Sequence, residues 1–393
     1  MPPPVPFPRH GKSESVVVSS LQKKLGQNLY QSEKNFGIVY SGAPHPLAKV
    51  IQEIAEGTYI ADWEQEMFKG TYLVEKEAVR MVGSLLGDGN VGGFITSGGT
   101  ESNLVAMRVA RDRKQRKRPE VILPITAHFS FRSAAELLGL KLRFLPVDAN
   151  LHPDMNRVGG MINQNTIALV CSAPEGFLGV MDPVKEFAEL AEKHNLYLHV
   201  DAAFGGFILP FMRELGYDIP PFDFRIPSVD SMMTDGHKLG LMPLTTSFFL
   251  LRRQENLKSI PTEDTVIHTI TSTKPGIKAA AAWAIMNRMG MDGYKQSTRR
   301  VLGVVRILQE GIESIPGLEL VMKPLITMLA FKSDVYDVAS IFEQLRKMGW
   351  GTELESWEGA EMVRLSVNPN RDDEHAKLFV SGLRQAVKHA KKK

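Results

Sequence analysis

The sequence predicts an α/β fold in which a large domain, built on a mostly parallel seven-stranded sheet, is followed by a small C-terminal α+β unit. Three observations carry this expectation. Between residues 94 and 251, short runs that are apolar on both faces alternate with helix-length amphipathic segments, the pattern of a parallel sheet covered by helices on both sides. Beyond a Gly/Ala-rich helix the pattern changes to a shorter alternation of strands and helices. Finally, 393 residues with 43% apolar and 23% charged side chains are enough for a large core and roughly two to three domains.

Taken in order, residues 1–40 read as an N-terminal arm and helix. Met1 to Pro8 is too proline-rich for the apolar helix of a signal peptide, and Val16, Leu21, Leu25 and Leu29 mark a helix over Ser15 to Leu29. Residues 41–290 form the expected large domain, opening on the loop Ser41-Gly42-Ala43-Pro44-His45-Pro46 and a helix over Tyr72 to Leu86. Strands are expected at Phe94-Ile95, Val121 to Leu123, Leu142 to Leu145, Ile167 to Val170, Leu196 to Val200, Ser231 to Met233 and Ser247 to Leu251. Helices between them cover Asn103 to Arg113, Phe131 to Leu138 and Val184 to His194, and two more follow at Gly276 to Met289 and Asp292 to Glu313. Residues 291–393 form the small domain, with strands at Leu318 to Val321, Met328 to Phe331 and Met362 to Val367, and helices over Asp337 to Met348 and Asp372 to Ala390. The lysine-rich tail from Lys388 to Lys393 is expected to fray.

Several function classes fall away at once. Forty-seven basic against 44 acidic residues give a net charge of +3, which does not suit an electrostatic nucleic-acid binder. A single cysteine, Cys171, closes no internal disulfide, and no Cys/His cluster has metal-ligand spacing. No run of 18 apolar residues predicts a membrane span, so a cytoplasmic location is the expectation.

Open sheets of this kind bind ligands at the carboxyl ends of their strands, which directs attention to the polar residues there. Thr96-Ser97-Gly98-Gly99-Thr100-Glu101-Ser102-Asn103 follows a strand and opens a helix. Paired glycines let the backbone approach an anion, and first-turn N–H groups with hydroxyls at Ser97 and Thr100 suit a phosphate, although a plain capped turn has the same composition. Asp201 ends the strand before Ala202-Ala203-Phe204-Gly205-Gly206, where small neighbours leave room for a flat ring. The next strand leads into Thr234-Asp235-Gly236-His237-Lys238-Leu239-Gly240, placing a lysine where a lowered pKa would make it a nucleophile. A phosphate cradle, an acid for a ring nitrogen and a Schiff-base lysine, in that order on successive strand ends, are the parts that hold pyridoxal 5′-phosphate.

On these motifs the sequence resembles the fold-type I, group II pyridoxal-phosphate decarboxylases, in particular the archaeal-type tyrosine/aspartate decarboxylases, with the sphingosine-1-phosphate lyases as near relatives. The resemblance runs from about Tyr40 to Leu383. It implies that Lys238 bonds the cofactor, Asp201 pairs with the pyridine nitrogen, His128 stacks on the ring and Ala203 covers its other face. Ser97, Gly98, Gly99, Thr100, Asp235 and His237 match cofactor-binding positions, as does Ser172, although Ala173 replaces a hydroxyl residue of the family pattern. Ser272 and Thr273 match a segment that reaches the neighbouring subunit's phosphate, which implies a homodimer with shared sites. Arg364 falls where the decarboxylase branch carries an arginine for the substrate carboxylate, and His45 lies in a loop that resembles the substrate-proximal one. An amino-acid decarboxylase is thereby expected, with a lyase acting on an amino alcohol phosphate as the alternative. The family's loop tyrosine, which protonates Cα after carbon dioxide leaves, has no counterpart between Lys238 and Ser272, so His268 is the expected proton donor.

Overall fold

The centre of the molecule is a sheet that water hardly reaches. A computed structural model describes residues 13–25, 34–37, 44–61, 67–253, 269–271 and 273–393. Helices α1 (Glu14–Leu25) and α2 (Leu47–Ile54), the short strand β1 (Tyr59–Ala61) and helix α3 (Lys69–Leu85) precede the sheet. The alternating unit then runs β2 (Gly92–Thr96), α4 (Gly99–Arg113), β3 (Glu120–Pro124), α5 (Ser130–Leu138), β4 (Lys141–Leu145), α6 (Met155–Met161), β5 (Thr166–Ser172), α7 (Val184–Lys193), β6 (Tyr197–Asp201), α8 (Leu209–Glu214), β7 (Ser231–Asp235) and β8 (Ser247–Leu251). The seven strands lie in the order β2-β8-β7-β6-β5-β3-β4, with β8 alone antiparallel to its neighbours.

Every residue of β2, β3, β5, β6, β7 and β8 is buried, whereas the edge strand β4 is partly exposed. This is the physical reason the strands read as continuous apolar runs: helices cover both faces of the sheet and leave no solvent side. Helix α7 shows the complementary pattern, burying Val184, Phe187, Ala188 and Ala191 on one stripe. Because β2, β5, β6 and β7 run the same way, Ser97, Ser172, Asp201 and Asp235 all fall on one edge of the sheet.

After β9 (Thr273–Pro275), which pairs with β1, the long helix α9 (Gly276–Glu313) bridges the two parts of the molecule. The two expected helices are here one element broken at Gly290, whose φ of 54° and ψ of −172° leave the helical region. The small unit comprises β10 (Glu319–Leu320), β11 (Met328–Lys332), α10 (Val338–Lys347), β12 (Glu353–Trp357), β13 (Ala360–Ser366) and α11 (Asp373–Lys388), its four strands ordered β10-β11-β13-β12. Strand β12 escapes a sequence reading because it is an edge strand of half-exposed and exposed residues in which Leu354 and Trp357 are separated by polar residues, with no apolar run.

Residues near both chain ends are tied to the small unit. Phe36, in the expected N-terminal arm, is fully buried in the core of the small unit, 5.2 Å from Phe379 between ring centroids. The tail does not fray: Lys392 bridges Tyr336, and the Lys393 N–H donates to the Val335 carbonyl at 3.0 Å. Backbone pairing holds it where its side chains lack a packing pattern. No helix among the described residues is long and apolar enough to cross a membrane.

Candidate active site

The carboxyl edge of the sheet opens into a cavity of about 790 Å³ that also reaches Arg364 on β13. The phosphate-type turn at its rim depends on two glycines. Gly98 has a φ of 138°, a conformation reserved for glycine, and a Cβ on Gly99 would lie 2.8 Å from Met233 Cε and 3.1 Å from both Asp235 oxygens. The first helical bond of α4 runs from Ser102 N to Gly98 O at 3.2 Å, so the N–H groups of Gly99 and Thr100 precede the ladder at the positive end of the helix. Glu101, unnoticed in the sequence, secures the turn: its carboxylate accepts Ser97 N–H at 2.6 Å and Ile270 N–H at 2.9 Å. Burial opposes its charge, yet bonds from the Ser97 side chain and from the Ser97, Ile270 and Thr271 backbones outweigh burial and hold its pKa below the ordinary value.

Lys238 is 8% exposed, with Nζ 3.1 Å from Asp235 Oδ2 and 3.9 Å from the centroid of the Phe204 ring. The other Asp235 oxygen is buried without a hydrogen-bond partner. His237 donates from Nδ1 to the Thr246 carbonyl at 2.9 Å. Asp201 is held at both oxygens, Oδ1 by the Ala203 N–H at 3.1 Å and Oδ2 by Asn103 Nδ2 at 2.9 Å. His128 Nδ1 accepts the Ser130 N–H at 3.2 Å. Burial lowers the His128 pKa; the Asp201 charge pulls it back up and Lys238 pushes it down, and the net lies below the ordinary histidine value. Ser172 lies beside Asp182, whose Oδ2 accepts the Ser172 N–H at 2.6 Å and whose pKa burial pushes up to about 8.

The structure thus gathers Ser97, Gly98, Gly99, Thr100, His128, Ser172, Asp201, Ala203, Asp235, His237, Lys238 and Arg364 around one cavity. It does not bring His45 there: that ring caps α2, its Nδ1 accepting the Leu47 N–H at 3.1 Å. Thr273 is exposed on β9, while Ile270 and Thr271 line the cavity of their own chain. His268 and Ser272 lie outside the described residues. Arg364 is 4% exposed and heavily engaged: Nε and Nη2 donate to Glu353 Oε2 at 3.0 and 2.8 Å, and Nη1 donates to the Gly176 and Phe177 carbonyls at 3.0 and 2.9 Å. One N–H of the guanidinium is left for another partner. Glu353 was not legible in the sequence because it faces Arg364 only through the register of β12 on β13.

Three ends of this cavity match three ends of one molecule. The N-terminus of α4 suits a phosphate, Lys238 an aldehyde, and Asp201 a protonated ring nitrogen, and the orphan Asp235 oxygen adds an acceptor without a donor. The donor set fits pyridoxal 5′-phosphate, on the sheet and small-unit scaffold of a fold-type I enzyme of that cofactor.

Comparison with known proteins agrees. The conserved domain of pyridoxal-dependent decarboxylases matches residues 65–334, more than half of the chain, and the chain belongs to that family of pyridoxal-phosphate-dependent carboxy-lyases. It is 37% identical over 344 residues to the probable L-tyrosine/L-aspartate decarboxylase of Methanothermobacter thermautotrophicus, covering 86% of this chain and 93% of that protein. It is 40% identical over 354 residues to a sphingosine-1-phosphate lyase of Oryza sativa subsp. japonica, covering 85% of this chain and 66% of the relative. Among solved structures, a sphingosine-1-phosphate lyase of Burkholderia pseudomallei superposes with a TM-score of 0.88 at 28% identity, covering 99% of this chain and 93% of the other.

Proposed function

We propose that the chain releases carbon dioxide from an L-amino acid of the tyrosine or aspartate/glutamate type, with Lys238, Asp201 and His128 as its principal catalytic residues. The convergence of these three with the α4 N-terminus on one cavity carries the reading. Pyridoxal phosphate supplies the electron sink when bound. The turn Ser97 to Thr100 and the His237 ring would hold its phosphate end. Asp235 Oδ2, 3.1 Å from Lys238 Nζ, is the base that takes the lysine's proton as the amine becomes a nucleophile. Asp201, fixed at both oxygens, keeps a ring nitrogen protonated, and His128 and Ala203 cover the two faces of a ring between them. Ser172 completes the ring's polar contacts, and His268 returns the proton to Cα. Arg364 contributes its remaining N–H to the substrate carboxylate.

The shared-site homodimer is part of the same reading. Thr273 is exposed, and α1 carries Val16, Val17, Val18, Leu21 and Leu25 at 45–54% exposure, an apolar face that a second copy would cover. Light scattering on the active protein should give twice the chain mass; a fully active monomer overturns this part.

A second reading, cleavage of a phosphorylated amino alcohol, draws on the engagement of Arg364, since such a substrate has no carboxylate to bind. Assaying carbon dioxide release from the twenty amino acids, alongside aldehyde release from a phosphorylated long-chain amino alcohol, separates the two. Release from an amino acid supports the decarboxylase; aldehyde alone overturns it.

A further inference from the structure

Behind the cavity, a file of buried side chains joins the two residues proposed to bracket the cofactor ring. His199 and Asn103 are 0% and 1% exposed, and Ser130 and Ser231 are fully buried. Ser231 Oγ lies 2.8 Å from His199 Nδ1, and His199 Nε2 lies 3.0 Å from Asn103 Oδ1. Asn103 Nδ2 reaches Asp201 Oδ2 and Ser130 Oγ, both at 2.9 Å, and Ser130 Oγ is 2.8 Å from His128 Nδ1.

The donors and acceptors admit one consistent direction. A carboxylate at Asp201 only accepts, so the amide nitrogen of Asn103 must face it, and its two N–H groups serve Asp201 and Ser130. The amide oxygen then needs a donor, which puts a proton on His199 Nε2, and in the neutral ring Nδ1 accepts from Ser231. Full burial, which pushes the His199 pKa down to about 3, agrees with that neutral form. Ser130, accepting from Asn103, has its own hydroxyl proton free to donate to His128 Nδ1. The Ser130 backbone N–H donates to the same nitrogen, so the His128 proton resides on Nε2.

We infer that Asn103 is a positioning residue which sets two groups at once: it fixes the plane of the Asp201 carboxylate and, through Ser130, the tautomer of His128. This rests on the proposed roles of Asp201 and His128, but the wiring itself is testable without cofactor. Its two branches make separable predictions. Asn103→Ser keeps a small polar residue while cutting both, and Ser130→Ala cuts only the hydroxyl link to His128, leaving the backbone N–H on Nδ1.

In the cofactor-free protein with 15N-labelled histidine, the wild type should show His128 with a non-protonated Nδ1 at neutral pH, where the lowered pKa keeps the ring neutral. Both variants should move the His128 Nδ1 shift, because the hydroxyl bond to it is lost or loosened while the backbone N–H bond remains. Pyridoxal phosphate affinity, read by absorbance, should weaken about tenfold or more in Asn103→Ser, where a charged acceptor loses a donor. In Ser130→Ala it should stay within about threefold, because the Asp201 bond is intact. Should Asn103→Ser not fold, the Ser130→Ala arm still decides. Unchanged His128 nitrogen shifts in Ser130→Ala overturn the wiring, and so does a loss of cofactor affinity there as large as in Asn103→Ser. A wild type that binds no pyridoxal phosphate but shows the expected histidine shifts would instead sink the proposed function and leave the wiring standing.

Discussion

Two lysines among the described residues are buried against carboxylates, and the two pairs are completed to different degrees. Lys274 and Glu75 have side chains 6% and 3% exposed, Lys238 and Asp235 9% and 4%, so burial does not tell them apart. Their surroundings do. Lys274 Nζ donates to Glu75 Oε1 at 2.7 Å and to the Ile95 carbonyl at 3.1 Å, while the Ile95 N–H donates to the same carboxylate oxygen at 2.9 Å. The pair closes a ring with the backbone of β2 and fastens β9 beside it. Asp235, by contrast, spends one oxygen on Lys238 and keeps the other without a hydrogen bond, facing the cavity turn at Gly99. A buried polar atom that goes unsatisfied costs stability, and one that lines a cavity is a place where a ligand or a reaction can complete it. The difference teaches that completeness of hydrogen bonding, more than burial, separates a structural ion pair from one belonging to a site.

That contrast can be broken by exchanging the two losses. Lys238→Ala should lower turnover by at least about a thousandfold and abolish the visible band of the bound cofactor. Near-normal turnover in this variant would remove Lys238 from the chemistry. Lys274→Ala should do the reverse, destabilising the fold by about 3–5 kcal/mol because Glu75 is left charged and buried without its partner. A denaturation curve that coincides with wild type would mean that the Glu75–Lys274 ring is not the clamp described here.

A third pair, buried Arg364 with half-buried Glu353, sharpens the comparison from the substrate's side. Arg364 is nearly as complete as Lys274, which predicts that Glu353 governs what the guanidinium offers a ligand. Glu353→Gln keeps an acceptor but removes the opposing charge. The ratio of kcat/KM for aspartate over tyrosine should then rise about tenfold. An unchanged kcat/KM for both amino acids places Arg364 outside substrate recognition.

The smallest effect concerns pH. In the unfolded chain His199 takes up a proton near its ordinary 6.5, whereas burial in the folded chain delays this to about pH 3. Protons therefore favour the unfolded state between these values, and stability, fully present above pH 6.5, falls as the pH drops by up to about 1.4 kcal/mol per unit. His199→Asn does not titrate there, so its stability measured from pH 6 to pH 4 should decline less steeply than that of the wild type. Identical slopes would assign the acid limb to other groups.

Much of this was written in one dimension. The sheet strands were legible because parallel strands buried on both faces must be apolar throughout, and the boundaries observed for β2 to β8 differ from the expected ones by a few residues at most. Lys238, Asp201 and the Gly98-Gly99 turn were legible for the same reason: each stands directly at the end of such a strand, so its place in the chain is also its place on the sheet edge. What stayed hidden depends on chain segments that meet only after folding. Asn103 read as the last letter of a turn motif, and nothing local announces that it touches Asp201 and His199, almost a hundred residues away. Glu353 meets Arg364 only through the register of an edge strand with no apolar pattern. The sequence alone determined which side chains stand at the strand ends, because backbone direction and burial impose a local signature. Only the tertiary structure decided how those side chains are wired, because a hydrogen bond constrains distance and angle in space and leaves no periodicity along the chain.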